Sequence, residues 1–476
     1  MIEFILNNQK ITTAKPAGMA LLDFIRNESH LTATKIGCRE GDCGACTVLE
    51  GSLNNSKLTY KSIVSCLTPL INAHGKHIVT VEGINIDNLS PVQQSIKDNA
   101  ATQCGFCTPG FVVSLTGNMM SSSNNDPIES ISGNICRCTG YKSIEKAARD
   151  ITKSKDTLLE GNEIQSMIDK KWLPDYFLGI QDRLNGVSPL IDEDSTAGNL
   201  IGGGTDIMVQ QAEKIRNNSI KTSLNIIPKS IEINNGIIRV GAGVTMTDFI
   251  ENEIINSNFP TFKEHFQLIA SEQIRNMGTL AGNIVNASPI GDVSVLFLAL
   301  NAKLIIENQY RDSREVDLCD FFIDYKKTIL QTNEVIKYLV FSNLDSNRKI
   351  NFEKVSKRTY LDIASVNSAL TITVTNKVIE KLGLSVGGVA PFPLFMKETI
   401  AFLKGRKLNT ETITLALDKL NLEINPISDI RGSKEYKRLL LRQLFLQHFL
   451  KLFPELIDES EVHNIMTTKT LPYEKY

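Results

Sequence analysis

Short runs of β-favouring residues, separated by polar turns, open the chain. IEFIL, ITTAK, CTVLE, KLTYKS and HIVTVEGI read as strands over residues 1–86, with one helix around Ala20 to Asn27. The pattern then turns helical. Ser90-Pro91 and Thr108-Pro109 each set a capping residue before a proline, and Lys142 to Ile151 reads as a further helix, so residues 90–153 are expected to be helical. Residues 154–190 are charged and irregular and hold the only tryptophan, Trp172. They read as a linker that packs on something, with Trp172 as its anchor. From Leu190, strands alternate with helices to about residue 340, and a second α+β unit follows to about residue 452. The fold class expected is multidomain α+β.

Composition agrees with a folded, multidomain chain. Its 476 residues correspond to about three domains at roughly 150 residues each. Lys plus Arg is 51 and Asp plus Glu is 53, a net charge of -2, which gives no electrostatic case for nucleic acid or an anionic membrane. The longest apolar runs, such as Val293 to Leu300, fall far short of the roughly 20 residues of a membrane span. No basic segment followed by an apolar stretch opens the sequence, so a cytoplasmic location is expected.

Cysteine is what changes this picture. Eight of the nine cysteines fall in two sets of four, a pattern that suits thiolate metal sites better than disulfides in so long a chain. Cys38, Cys43, Cys46 and Cys66 are spaced C-x4-C-x2-C, then 19 residues, then C, the plant-type spacing for a [2Fe–2S] cluster. Two tetrahedral irons sharing two sulfides leave four positions, hence four thiolates. Gly37, Gly41 and Gly44 let the loop wrap closely; with the x4 gap they argue against a structural zinc. The second set, Cys104, Cys107, Cys136 and Cys138, lies in QCGFCTPG and GNICRCTGY. Its spacing alone leaves iron and zinc both open. Cys107 precedes Thr108-Pro109 and so sits at a helix N-terminus, where the dipole favours thiolate.

Two glycine-rich stretches follow. In LIGGGTDI, Leu200 to Ile207, a strand runs into a triple-glycine turn and then a helix, IMVQQAE. Its N–H groups suit a pyrophosphate, although an ordinary strand–helix turn reads the same way. IRNMGTLAGNIVNASPIGD, Ile274 to Asp292, implies close backbone approach, with Asn283, Asn286, Ser288 and Asp292 to orient a ligand. Two such stretches in one domain favour a cofactor.

CREGDCGACTV, QCGFCTPG and GNICRCTGY together resemble the iron–sulfur half of the molybdenum hydroxylases, a family that includes xanthine dehydrogenases, aldehyde oxidases and carbon monoxide dehydrogenases. The glycine-rich stretches, SVGGVAPFPL and SDIRGSKEYKRLLL resemble its flavin part. The resemblance implies a β-grasp ferredoxin-like domain (1–86), a helical-bundle domain with the second [2Fe–2S] cluster (87–155), a linker (156–189), a two-subdomain α+β FAD-binding domain (190–346), a C-terminal α+β flavoprotein domain (347–455) and a tail (456–476). By position, Leu200, Ile201, Gly202, Gly203, Gly204, Thr205, Asp206 and Ile207 would hold the FAD phosphates. Thr279, Gly282, Asn283, Asn286 and Asp292 would line the rest, and Ile269, Ala270, Ile336 and Lys354 would make further flavin contacts. The sequence departs from the family twice: Ala281-Gly282-Asn283 stands where G-G-N is common, and Ile269 where some members place phenylalanine beside the flavin. The second bears on flavin access and reactivity with oxygen.

The family's substrate chemistry needs a molybdenum–pterin domain, for which no residues remain, so the resemblance implies a molybdopterin-binding large subunit as partner, in a heterotetramer of two plus two chains. Iron–sulfur and FAD modules fused in one chain resemble the small subunit of bacterial two-chain xanthine dehydrogenases. The implied activity is oxidation of hypoxanthine or xanthine, with electrons leaving through two [2Fe–2S] clusters and FAD to NAD+. Substrates of the aldehyde or N-heterocycle type, or a free-standing NADH-dependent reductase, are the alternatives. In the family the helical domain's cluster lies nearer molybdenum, which makes Cys136 and Cys138 ligands of the entry cluster. Cys319 reads as a buried core thiol, the six histidines form no ligand set, and Glu160, Glu163 and Asp169 read as a solvated face.

Overall fold

The computed structural model describes residues 1–54, 57–121, 126–155, 163–190, 199–217, 220–225, 227–344 and 347–468. The chain forms two compact units. One holds Met1–Ile226 with two short returns, Thr245–Thr247 and Ala270–Gly278; the other holds Ile227–Val244, Asp248–Ile269 and Thr279–Tyr476.

The first unit begins with a five-stranded sheet in the order Gln9–Thr13, Ile2–Leu6, His77–Val79, Thr47–Asn54, Lys57–Val64. Ile2–Leu6 runs antiparallel to its hairpin partner and parallel to His77–Val79. Phe4, Val48, Ile63 and Ile78 point to one side and bury Leu21, Leu22 and Ile25 of the helical segment 21–28. This is the β-grasp arrangement. Ile5 points the other way and is covered by Ile180 and Leu184. The strand expected over HIVTVEGI stops at Val79, and Val81–Ile84 is a helical turn. Thr80 is the reason: its N–H donates to the Asn7 side chain at 2.9 Å instead of continuing the ladder.

The helices Pro91–Asp98, Thr108–Met120, Pro127–Ser130 and Lys142–Thr152 enclose a second core around Phe111, Leu115, Met119, Ile144 and Ile151. Ser90 and Gln93 form a capping box at the first of them. Thr108 does not cap the second; Cys107 takes that position, and the Thr108 hydroxyl pairs with Thr102 at 2.7 Å. Thr108–Met120 is buried nearly throughout, because Gly117 lets it lie on the sheet: a Cβ there would come within 2.4 Å of Ser62 Oγ. The linker is not irregular where it is described. Glu163–Asp169 and Ile180–Asn185 are helices, and Trp172, Leu173 and Phe177 are buried in this second core. Asp169 is exposed as expected, whereas Glu160 and the Glu163 side chain lie outside the described residues.

Strand Asn199–Ile201 pairs in parallel with Ile220–Thr222, and Ile201, Met208, Ile215 and Ile220 enter the same core as Phe4 and Val48. The helix expected over IMVQQAE is two short ones, Ile207–Gln210 and Ala212–Asn217.

The second unit has a five-stranded antiparallel sheet in the order Ser313–Asp317, Lys303–Asn308, Glu334–Ser342, Ile237–Gly241, Ile231–Asn234. It also has a four-stranded antiparallel sheet, Arg348–Val355, Val366–Thr375, Val378–Gly387, Leu394–Phe395. The apolar run 293–300 forms the buried helix Asp292–Ala299, fixed to the second sheet by Thr371 and Ser385, whose hydroxyls donate to Ala299 O and Val295 O at 2.6 and 2.5 Å. Leu441, Phe445 and Phe449 of helix Lys434–Leu452 share a core with Val366, Leu370 and Leu384 of that sheet. Cys319 is only half-buried, in the short turn Leu318–Asp320, while its neighbours Phe321 and Phe322 fill the interior. Among the described residues no helix is long and apolar enough to cross a membrane.

Candidate redox centres

Cys38, Cys43 and Cys46 lie on one tight loop, with Gly41 and Gly44 in the left-handed region at φ +81° and +65°. Gly37 makes room for a sulfur: a Cβ there would stand 2.5 Å from Cys43 Sγ. The loop turns its N–H groups onto sulfur. Glu40 N and Asp42 N each donate to Cys38 Sγ at 3.3 Å, and Cys38 N donates to Cys43 Sγ at 3.4 Å. Cys66 arrives from the end of strand Lys57–Val64, and Ser65 ties the two arms by donating from N and Oγ to Cys46 O at 3.3 and 2.7 Å. Cys46 and Cys66 are buried.

The thiols meet in pairs. Cys43 donates to Cys38, which with the N–H donors of Glu40 and Asp42 lowers the Cys38 pKa to about 5. Cys66 likewise holds Cys46 low while its own rises. In the second set, Cys138 Sγ donates to Cys104 Sγ at 3.5 Å, and Cys107 pairs with Cys136. Burial, then Cys136, push Cys107 up to about 12. Burial also raises Cys136, but the Thr139 hydroxyl at 3.2 Å and nearby N–H groups outweigh it, and the thiol is net lowered. Gly140 and Tyr141 both adopt positive φ, +66° and +71°, which returns the Tyr141 hydroxyl to accept from Cys136 N at 3.1 Å. Cys104 and Cys138 are exposed.

None of the eight cysteines is in a disulfide. Among the described residues no three ligand side chains converge as a single ion requires; the sulfurs stand two by two. That arrangement fits a two-iron cluster, in which each iron takes two protein thiolates.

The two loops touch. Ile135 N donates to Cys43 O at 3.0 Å and Asn134 Nδ2 to Gly44 O at 3.1 Å. Buried Ser114 and Gln273 both donate to Asn134 Oδ1, at 2.8 and 3.2 Å. Two residues on, Arg275 forms an ion pair with Glu129 at 2.5 Å, with 1% and 6% of the two side chains exposed.

Within this first unit, the triple-glycine turn is fixed by its surroundings. Asn72 Nδ2 donates to Gly202 O at 2.8 Å, and Met208 N donates to Gly204 O at 3.0 Å. A Cβ on Gly203 would meet Met277 O at 1.9 Å, and one on Gly204, at φ +84°, would meet Leu67 O at 2.6 Å. The close approach that demands these glycines is therefore the protein's own backbone. Ala270 adopts φ +53°.

Within the second unit, Lys354 is almost wholly buried. Its amine donates to Asp292 and to Leu268 O, both at 2.8 Å, and Asp292 also accepts from Asn367. Asn286 accepts from Lys326 at 2.7 Å, and Thr279 caps helix Leu280–Val285. Gly282 on that helix is exposed, Asn283 accepts from Ser294, and Ile336 is buried in the five-stranded sheet. Ile269 is buried too. The predicted polar set thus gathers Lys354 with Asp292, while Ile336 stands in a different sheet from Lys354.

Four family models match in chain order. They are a 2Fe-2S iron-sulfur cluster binding domain over residues 4–70, a [2Fe-2S] binding domain over 80–149, an FAD binding domain in molybdopterin dehydrogenase over 185–342, and a CO dehydrogenase flavoprotein C-terminal domain over 352–452. Together these four domains match the 2Fe-2S and FAD part of the molybdenum hydroxylases. Among the chain's relatives is xanthine dehydrogenase 1 of Arabidopsis thaliana, 28% identical over 523 residues, covering 91% of this chain and 38% of that protein. Another is the xanthine dehydrogenase of Blastobotrys adeninivorans, 28% identical over 595 residues, covering 99% and 42%. The chain therefore spans about two-fifths of the length of these relatives. Among solved structures, carbon monoxide dehydrogenase from Hydrogenophaga pseudoflava is 23% identical, with a TM-score of 0.49 over 52% of this chain and 87% of that one. Quinoline 2-oxidoreductase from Pseudomonas putida 86 is 22% identical, with a TM-score of 0.48 over 53% and 88%.

The likeness to molybdenum hydroxylase domains accounts for the cysteines but not for every buried polar group. Asn134, Gln273, Arg275 and Glu129 escaped the sequence reading. Asn134 stands two residues before Cys136, the one local hint of its place; Arg275 lies inside a stretch that was read for its small residues.

Proposed function

We propose that this chain is the electron-transfer subunit of a xanthine dehydrogenase, carrying electrons from a molybdopterin-binding partner toward NAD+. The observation that carries the reading is the pairing of eight thiols in two loops that a hydrogen bond joins, Ile135 N to Cys43 O. The [2Fe–2S] and FAD binding domains support it, and so do relatives that bear the name xanthine dehydrogenase. Cys38, Cys43, Cys46 and Cys66 hold the relay cluster; Cys104, Cys107, Cys136 and Cys138 hold the entry cluster. Residues 200–207, with Ile269, Ala270, Thr279, Gly282, Asn283, Asn286, Asp292, Ile336 and Lys354, hold FAD. When bound, FAD supplies the change from single-electron carriers to a hydride acceptor.

The chain's own residues tune and fix these groups. N–H donors on Cys38 and Cys43 stabilise thiolate charge, and Ser65 keeps the Cys46 and Cys66 arms in register. Lys354 neutralises Asp292 in a buried position and anchors the segment that ends in Ile269. The molybdenum–pterin part comes from a large partner chain, as two plus two subunits, in the cytoplasm.

Purification from native cells, followed by an assay of xanthine with NAD+, tests this. The expected result is a large molybdenum-containing chain in the complex and urate formation coupled to NADH. A preparation that oxidises NADH with no such partner supports the free-standing reductase instead, and aldehyde or N-heterocycle turnover without xanthine turnover moves the substrate class.

A further inference from the structure

Arg39 follows the ligand Cys38 directly and adopts φ +58°, a left-handed conformation that is strained for any residue but glycine and near neighbours. That turn sends its guanidinium back to Asp23, where it forms a two-pronged pair: Nη2 to Oδ1 at 2.7 Å and Nη1 to Oδ2 at 3.2 Å. Asp23 is buried at 5% exposure and holds a second cation, Arg216, at 3.1 Å. Arg216 is brought there by helix Ala212–Asn217, whose Ile215 is fully buried in the ferredoxin-like core. Gly18 leaves the space: a Cβ on it would lie 2.0 Å from Ile215 O. Two guanidinium charges against one carboxylate leave a net charge of +1 beside the loop of the first cluster.

We propose that the Arg39–Asp23–Arg216 triad sets the reduction potential of the cluster held by Cys38, Cys43, Cys46 and Cys66. This rests on the two-iron reading of those cysteines. A reduced cluster carries one more negative charge than an oxidised one, and net charge is among the main determinants of such potentials. Reduction here adds one electron; no bond forms or breaks, and no proton moves. A net positive triad favours the reduced state and draws electrons onto the relay. Glu40 and Asp42 add fixed negative charge on the loop and stay constant when the triad alone is changed.

The test is a dithionite titration of the full chain with mediator dyes, following the first cluster by its electron paramagnetic resonance signal. Arg39→Gln and Arg216→Gln each remove a cation and should lower the potential. Asp23→Asn removes the anion and should raise it. Each shift should change the reduced-to-oxidised ratio at fixed potential by about two- to fivefold, the scale of partly exposed charge pairs. The Arg216→Gln shift should shrink in about 1 M salt, where the screening length falls to about 3 Å. The signal of the second cluster should stay where it is. A clamp with only a structural role would not give shifts of opposite sign, nor a salt-dependent one. Should Asp23→Asn not fold, Arg216→Gln decides alone, since Arg216 is half-exposed. An unshifted potential in Arg216→Gln with its iron intact, or a shift that ignores salt, overturns the proposal. Absence of any two-iron signal in the unaltered chain overturns the cluster reading itself.

Discussion

The two cysteine sets use the same four-thiol plan in opposite surroundings. At the first, Cys46 and Cys66 are buried, backbone N–H groups point at sulfur, and a long glycine loop does the wrapping. At the second, Cys104 and Cys138 are exposed while Cys136 is buried, and order comes from a helix start at Cys107, the Thr139 hydroxyl on Cys136 Sγ and the Tyr141 hydroxyl on Cys136 N. The first site is built into a core; the second is placed on a surface and braced from behind. Stability and cluster retention should therefore be coupled at the first site and separable at the second.

Cys46→Ser against Cys104→Ser probes that difference most strongly. A seryl oxygen is a harder and poorer ligand for iron, so each variant should lose one cluster, and iron per chain should fall from about four to about two. Only Cys46→Ser should also lower the melting temperature of the first unit, because Cys46 is packed with Val48 and Ile63. Equal melting curves for the two variants would erase the distinction.

Bracing of the second site rests largely on the buried Arg275–Glu129 pair, with Glu129 in Pro127–Ser130, the short helix just before Asn134 and Cys136. Arg275→Met removes the cation from a buried ion pair and should cost about 3–5 kcal/mol in urea unfolding. Glu129→Gln combined with Arg275→Met should recover much of that loss. If the single variant unfolds like the parent, the brace lies elsewhere.

Acid should act on the first site ahead of the second. His77 lies in the sheet of the ferredoxin-like module, receiving the Tyr60 hydroxyl at 2.7 Å and reaching Asn7 O at 2.9 Å. Burial lowers its pKa from 6.5 to about 3, so the folded state holds the ring neutral. The unfolded chain takes up the proton first. The stabilisation is complete above about pH 6.5 and is lost progressively as pH falls toward about 3. In the second unit His265 and His448, lowered by burial to about 4 and about 3, add the same trend. Visible absorption during an acid titration should show the signal of the first cluster decaying before that of the second; the reverse order contradicts this assignment.

The smallest expected effect is at Tyr141. Tyr141→Phe removes the acceptor for Cys136 N and should cost about 1 kcal/mol, read as a modestly faster loss of the second cluster to a chelator, with the first unchanged.

Much of this was legible in the chain. The x4-x2 cysteine spacing pointed to the 2Fe-2S binding domain that matches residues 4–70, because ligand geometry dictates spacing locally, and the helix starts at Ser90 and Lys142 fall where the sequence placed them. What escaped notice depends on partners far away in sequence. Val81–Ile84 looks like more strand, until Asn7, over seventy residues earlier, takes the Thr80 N–H. Gly203 and Gly204 were read as space for a pyrophosphate; on the side where a Cβ would stand, Met277 O and Leu67 O fill the space. Valine at either position should therefore disturb the fold of the first unit, whether or not these N–H groups meet a phosphate. Arg275 and Gln273 carry no local signature, since a buried arginine is spelled like an exposed one. Cys319, set among phenylalanines, was expected inside and stands half-out on its turn.

Residues 270–278 belong to the first unit although the chain has already entered the second by residue 227. During synthesis this imposes a schedule. The helical module's own helices end at Thr152, but Asn134 lacks the Gln273 donor and Glu129 lacks the Arg275 cation until those residues emerge from the ribosome. At roughly 5–20 residues per second, that gap is on the order of ten seconds. Until then the second cysteine set waits in an unfinished module with two thiols facing solvent, so the order of assembly sets when iron can be inserted to stay.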